Sequence, residues 1–204
     1  RALRSLSAKP AAYGAAAGRP ALREAIARHV SFARAVACEA EDVVVVNGAQ
    51  QAFDLLARIL VTPGRTIVAV EEPGYPPMRT AFVQAGAKLA PVHIDDEGLR
   101  VDLLPSQARV IIVTPSHQFP LGVAMSAARR AALLDFASAH NAVVIEDDYD
   151  GEFRFSGHAI DALQTLDRQE SVLYVGTFSK SLFPALRLGF VVAPAWAREP
   201  LIAA

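Results

Sequence analysis

At 204 residues, with 52% hydrophobic and 20% charged side chains, the chain carries enough apolar material for one sizeable packed core, which excludes a disordered segment. A net charge of −1 argues against nucleic-acid binding by this chain itself, and the single cysteine, Cys38, leaves neither a disulfide framework nor a cysteine zinc site, so a reducing, cytoplasmic setting is expected. No apolar run approaches the roughly 20 residues that span a bilayer, and Arg1-Ala2-Leu3-Arg4 lacks the apolar centre of a signal peptide.

Gly14 and Gly18 punctuate a loop, and Pro20 suits the first turn of a helix. Leu22, Ile26, His29 and Val30 then recur at helical spacing, with Arg23, Glu24 and Arg28 between them: an amphipathic surface helix without chemistry of its own. A polar connection, Cys38 to Asp42, leads into the β-branched run Val43 to Val46. Asn47-Gly48-Ala49-Gln50 follows as a small-residue turn, and Ala52, Phe53, Leu55, Leu56, Ile59 and Leu60 form a helical face. The open amides at such a helix start favour a phosphate, although turns of this kind also occur with nothing bound.

After a turn at Thr62 to Arg65, Thr66 to Val70 reads as a buried strand ending in Glu71-Glu72-Pro73-Gly74-Tyr75-Pro76-Pro77. The two prolines fix the direction of the Tyr75 ring, which either stacks on a planar ligand or packs the loop. Residues 78–86 read as helix and Leu89 to Ile94 as strand, and the acids of Asp95-Asp96-Glu97-Gly98 read as a solvated turn. Arg109 to Val113 is the next strand, running into Thr114-Pro115-Ser116-His117-Gln118-Phe119-Pro120-Leu121-Gly122. Ser126 caps a helix to about His140, with Leu133, Leu134 and Ala137 inward and Asn141 as its stop.

Val143 to Ile145 is another strand, followed by Glu146-Asp147-Asp148-Tyr149-Asp150-Gly151-Glu152. A calcium loop beginning at Glu146 would put Gly151 correctly at its sixth position, but Gly157 would stand where a bidentate Glu is required, so no metal site is expected. Val172 to Val175 is a further buried strand; Gly176 breaks it, Thr177-Phe178-Ser179-Lys180-Ser181 turns, and Leu186 to Ala193 is a second apolar run containing Arg187 and Gly189. Of 20 Lys and Arg residues only Lys9, Lys88 and Lys180 are lysines, so arginine is the usual surface cation. A lysine in a polar turn at a strand's end is either a solvated charge or an amine that can be deprotonated and used as a nucleophile, which a guanidinium cannot.

The repeating grammar of strand, loop and helix predicts a three-layer αβα fold with a mostly parallel sheet, whose ligand sits at the carboxyl ends of the strands. The loops there supply an anion site, an aromatic ring, a carboxylate with a phenol, and a lysine. A planar, phosphorylated aldehyde with a ring nitrogen would use all of them: the lysine to form an imine, the carboxylate to keep the ring nitrogen protonated, the phenol for a ring hydroxyl.

The wording of the chain resembles a known family at this point. YG…GRPALREAIARH, NGAQQAFDLLARIL, EEPGYP, TPSHQFPLG, EDDYDGEFRF and YVGTFSKSLFPALRLG occur in family order from Tyr13 to Gly189. They are similar to the large domain of fold type I pyridoxal-phosphate (PLP) transferases, the aspartate aminotransferase superfamily, and more narrowly to the aminotransferase-like domain of MocR-family regulators, a branch of the GntR type. The resemblance implies that Lys180 is the Schiff-base lysine, Asp147 the partner of the pyridine nitrogen, Tyr149 that of the ring hydroxyl, and Tyr75 the stacking ring. It implies that Gly48, Ala49, Gln50, Thr177 and Arg187 hold the phosphate. Gln118, together with His117, occupies the loop where aminotransferases place a ring-hydroxyl asparagine, and Tyr13 matches a tyrosine that reaches the partner subunit's phosphate in related dimers. Asp148 and Asp150 are expected to be structural. Leu121 departs from the family's usual threonine, which changes loop hydrogen bonding.

Residues 1–204 are therefore expected to be one PLP-binding large domain from the middle of a longer protein, lacking a winged helix before it and a small domain with a carboxylate-binding arginine after it. Two functions follow from the resemblance. One is the effector-sensing part of a homodimeric transcription regulator, in which an amino compound displaces Lys180 from the imine and DNA is bound through a separate domain. The other is a free-standing aminotransferase acting on an amino acid and a 2-oxo acid, with Lys180 also as general base. A cofactor-free structural role is the third reading. Transaldimination is common to the first two; full transamination is not implied.

Overall fold

The computed structural model describes residues 14–151 and 161–204. Its centre is an eight-stranded sheet in the order β1-β8-β7-β6-β5-β2-β3-β4. The strands are β1 (Val43–Val46), β2 (Ile67–Glu72), β3 (Lys88–Asp95), β4 (Gly98–Leu99), β5 (Ala108–Val113), β6 (Val143–Asp148), β7 (Val172–Thr177) and β8 (Gly189–Val192). Strands β3, β2, β5, β6 and β7 pair in parallel. β8 runs antiparallel to both β7 and β1, and β4 antiparallel to β3. This topology brings the carboxyl ends of β1, β2, β5, β6 and β7 to one edge of the sheet, together with the start of β8.

Side chains of successive strand residues point to opposite faces, and the helices divide accordingly. Helices α2 (Gly48–Leu60), α3 (Pro76–Gln84) and α5 (Ala195–Ala203) cover one face. There Phe53, Leu56, Met78, Phe82 and Leu201 pack on Val70, Ile112, Ile145, Leu173 and Val175. Helix α4 (Ala127–His140) covers part of the other face, with Leu133 and Ala137 against Ile111, Val113, Val144 and Val172. Helix α1 (Pro20–Arg34) covers the rest, with Ile26 and Val30 against Val43, Tyr174 and Phe190. Each large side chain buried this way stabilises the fold by about 1.5–3 kcal/mol. The result is the expected three-layer αβα fold with a mostly parallel sheet.

The ends of the elements follow local chemistry. Ser126 Oγ accepts the Arg129 amide at 3.2 Å to start α4, and Asn141, left-handed at φ 49°, stops it. Helix α3 begins at Pro76 rather than at residue 78, because proline is suited to the first helical positions. The apolar run from Leu186 is not all strand: Pro184–Leu186 is a short 3₁₀ turn, Arg187 is left-handed at φ 48°, and pairing begins only at Gly189. Among the described residues no helix is long and apolar enough to cross a membrane.

Candidate functional site

The pocket lies where the strand ends converge. Ala49, Gln50, Tyr75, Phe119, Asp147, Tyr149, Thr177, Ser179, Lys180 and Arg187 line a space of ≈ 790 Å³, a figure that includes the solvent at its open mouth.

Strand alternation selects one acid of the Glu146-Asp147-Asp148 run for this pocket. Glu146 and Asp148 share the face of Val144, under α1 and α4, whereas Asp147 shares that of Ile145, under α2 and α3. Glu146 is fully buried and accepts the Leu163 and Gln164 amides at 2.8 and 2.9 Å; burial and then the charge of Asp148 lift its carboxyl to about 7. Asp148 Oδ2 accepts from Arg34 Nε at 2.7 Å and from the Tyr174 hydroxyl at 2.5 Å. Asp147 is 5% exposed, and its Oδ1 has no hydrogen-bond partner among the described residues. Burial, then the negative charges of Asp148, Glu71, Asp150 and Glu146, push its carboxyl up to about 8. A buried acid among acids, facing a pocket, is matched by a ligand that brings its own N–H.

The lysine turn is set by the strand behind it. The Ser179 amide donates to Thr177 Oγ1 at 3.2 Å, and the Thr177 hydroxyl lies 3.0 Å from Ser179 Oγ. Phe178 is anchored by its amide on the Leu188 carbonyl at 3.0 Å and by its ring against Phe190, 5.4 Å between centroids. A side chain at Gly176 would overlap the Phe190 ring, so only glycine brings the strand through here. With Phe178 turned in, Lys180 is exposed on the pocket wall.

At the opposite end, α2 opens with Gly48, left-handed at φ 78°. The Asn47 amide is taken by Gln51 Oε1 at 2.6 Å, and the first helical amides that follow have no intrahelical acceptors. Arg187 lies against Gly48, and a β-carbon on Gly189 would stand 2.8 Å from Gly48 Cα, so both glycines permit the approach of β8 to the helix start. Amides, helix dipole and guanidinium converge there as an anion site.

The walls are aromatic. Tyr75, immediately before Pro76 of α3, meets the Phe119 ring edge-on at 5.6 Å, and Phe119 meets Tyr149 edge-on at 6.3 Å. The Tyr149 hydroxyl is 3.3 Å from His117 Nδ1, which lies 2.5 Å from Asp150 Oδ2. Burial, then Asp150, raises the Tyr149 phenol above its ordinary value.

Of the sequence-predicted residues, Ala49, Gln50, Tyr75, Asp147, Tyr149, Thr177, Lys180 and Arg187 line one pocket, and Gly48 lies directly against Arg187. Gln118 does not line it. Its amide is 1% exposed and holds the loop together, donating to Glu71 Oε2 at 3.1 Å and the Pro73 carbonyl at 3.0 Å while its Oε1 accepts the Leu121 amide at 3.1 Å. Phe119, its neighbour, takes the wall position. Tyr13 lies outside the described residues. Phe119, Ser179 and the buried Glu71 are the contributors that sequence reasoning missed. Phe119 carried no signal beyond its place in the loop between β5 and α4.

The family model described as "Aminotransferase class I and II" matches residues 4–203. The chain is 47% identical over 179 residues to "Probable rhizopine catabolism regulatory protein MocR" of Rhizobium meliloti, covering 87% of this chain and 36% of that protein. Its fold superposes with a TM-score of 0.92 on an archaeal alanine:glyoxylate aminotransferase, 34% identical, covering 99% of this chain and 53% of the other. It superposes with a TM-score of 0.88 on LysN, alpha-aminoadipate aminotransferase of Thermus thermophilus, solved in complex with N-(5'-phosphopyridoxyl)-L-leucine, 30% identical and covering 98% and 52%. The chain thus spans roughly a third to a half of the length of these proteins. With its sheet, its helix layers and nearly its whole sequence matched, the chain belongs to the aminotransferase class I and II family.

Proposed function

We propose that this chain is the PLP-holding part of a MocR-type transcription regulator, in which an amino compound engages the cofactor in competition with Lys180. The observation that carries the reading is the buried Asp147 carboxyl. Its Oδ1 is unpartnered among the described residues, it faces a pocket that also holds a primary amine and a guanidinium, and surrounding acids leave it in need of a positive N–H. A pyridine nitrogen meets that need, and the anion site between Gly48 and Arg187 suits the phosphate of the same molecule. The donor set therefore fits the group.

When bound, PLP supplies an aldehyde that combines reversibly with amines and a ring that withdraws electrons from the adjoining carbon. The chain's own residues do the rest. Arg187 and the first amides of α2 bind the phosphate as a dianion. Asp147, ionised once it faces a cation, holds the proton on the ring nitrogen at its carboxylate oxygen. Tyr75 and Phe119 exclude water from the ring's surroundings, and the Tyr149 hydroxyl, set by His117 and Asp150, orients the ring oxygen. Lys180 Nζ would be the amine that holds the group and, when free of it, a base able to carry a proton.

The regulator reading is favoured by the 47% identity to a regulatory protein. It brings with it a DNA-binding domain outside this chain, a C-terminal small domain, a homodimer and a cytoplasmic setting, all of which are part of the proposal. The second reading, a free-standing aminotransferase, is favoured by the 34% identity over 99% of this chain to the alanine:glyoxylate enzyme, of which it spans 53%. The deciding experiment uses the full-length, PLP-saturated protein with a panel of amino acids and amines. A ligand-dependent change in affinity for its own promoter, without stoichiometric 2-oxo acid, supports the regulator; multiple-turnover formation of a 2-oxo acid with no DNA binding supports the enzyme.

A further inference from the structure

Helix α1 contributes no side chain to the pocket that Asp147 lines, although His29, Val30 and Arg34 border an adjoining cavity with Tyr149, Thr177 and Lys180, and it ends in a buried guanidinium. Arg34, its last residue, is 7% exposed. Its Nε donates to Asp148 Oδ2 at 2.7 Å, and its Nη2 bonds Ser116 Oγ. The same Asp148 oxygen accepts the Tyr174 hydroxyl at 2.5 Å. One guanidinium thus ties α1 to the end of β6, to β7 and to the loop after β5. Each of those segments also carries pocket residues: Asp147 on β6, Thr177 and Lys180 at and after the end of β7, and Phe119 in the loop.

The strand geometry makes the tie consequential. Asp147 and Asp148 are consecutive on β6 and point to opposite faces, so pinning the Asp148 carboxylate fixes the rotation of the last peptide and the direction of Asp147. Asp147 Oδ1 has no hydrogen bond within the described protein to hold it otherwise. Asp148 is also backbone-paired with Gly176, immediately before the lysine turn. A forked group suits this position, because the guanidinium reaches Asp148 and Ser116 with different nitrogens, which an ammonium at one point in space does less well. Burying a charged pair is a poor route to stability alone, since apolar residues serve a core as well or better.

We infer that Arg34 is a positioning residue of the cofactor site, holding Asp147 and the lysine turn in register through Asp148, Tyr174 and Ser116. The inference rests on reading the pocket as a PLP site. It makes helix α1 a mechanical part of that site: a displacement of α1 disturbs the carboxylate on the ring nitrogen, and occupancy of the pocket resists the displacement.

The test is a titration of the ligand-free full-length protein with PLP, read by visible absorbance, alongside its thermal midpoint. Wild type is compared with Arg34→Gln, Arg34→Lys, Asp148→Asn, and Arg58→Gln on the solvated face of α2 as control. The expected result is a dissociation constant raised about tenfold or more for Arg34→Gln and Asp148→Asn, since small misplacements of site groups cost up to about a hundredfold. Arg34→Lys, which keeps the charge but not the fork, falls between, and Arg58→Gln matches wild type. Thermal midpoints lowered in the Arg34 variants with unchanged dissociation constants would overturn the inference and leave Arg34 a core strut. If Arg34→Gln does not fold, Arg34→Lys decides alone, a wild-type constant overturning the inference. Failure of wild type to bind PLP at all would sink the site reading itself, a result that involves no Arg34 variant and so stands apart.

Discussion

The Arg187 guanidinium rests on Gly48: a β-carbon there would meet Arg187 Nη2 at 3.1 Å and Cζ at 3.2 Å. Both residues are left-handed, at φ 48° and φ 78°. A residue of the β8 approach is thereby brought onto the first turn of α2, and the two make one anion site from elements far apart in sequence. Arg187→Gln should weaken PLP binding by about ten- to a hundredfold, the worth of a charge-assisted hydrogen bond. It should leave pyridoxal, which lacks the phosphate, within about twofold. Parallel absorbance titrations with the two compounds check this, and an equal loss for both would remove Arg187 from the phosphate end.

Asp147 makes the ligand-free protein sensitive to pH in a direction opposite to that of a salt-bridged acid. An unfolded aspartic acid loses its proton near ~3.9, whereas burial and the neighbouring acids hold the folded group's proton up to about 8. The folded state therefore binds more protons across that window, and stability falls as pH rises through it. Asp147→Asn should raise the thermal midpoint of the ligand-free protein at pH 8 by a few degrees, corresponding to about 1–2 kcal/mol. The gap should close as pH falls toward about 4. The same substitution should impair PLP binding at every pH. Thermal scans at pH 5 and pH 8 check the sign; a wild type more stable than the variant at pH 8 would refute it.

Glu71 and Thr114, at the ends of adjacent strands β2 and β5, are joined twice. The Glu71 carboxylate accepts the Thr114 amide at 3.1 Å and its hydroxyl at 2.6 Å, with Gln118 Nε2 at 3.1 Å on the same group. Burial still raises the Glu71 carboxyl above its ordinary value. Thr114→Val removes a donor from a fully buried acid and should cost about 1–3 kcal/mol. The loss should grow as pH rises through the raised titration of Glu71, because the ionised form needs the donor more. A pH series of thermal scans checks this, and a loss that shrinks as pH rises would contradict it.

Much of this was legible because strand ends have a distinctive chemistry. Buried β-branched runs marked β1, β2, β5, β6 and β7, but three of these strands run further than their apolar residues, β2 through Glu71 and Glu72, β6 through Glu146 to Asp148 and β7 through Gly176 and Thr177. The parallel order of those strands turned separate loops into one site. The sequence also marked Lys180, against a background in which arginine is the usual cation. Three things were hidden. The start of the run from Leu186 is left-handed at Arg187, a conformation that composition does not announce. Gln118 looked like a ligand contact, but its amide satisfies a buried carboxylate and three backbone groups. Arg34 stood at the polar end of a surface helix, and its partners, Asp148 and Ser116, lie on other elements that only tertiary packing brings to it.

The most direct test of the account is reductive trapping. The full-length protein is incubated with PLP, reduced with borohydride, digested and mapped by mass spectrometry, with Lys180→Ala treated in parallel. The account predicts one phosphopyridoxyl group per chain, on Lys180 Nζ, and none on the variant. A label spread over other lysines, or undiminished in Lys180→Ala, would contradict it.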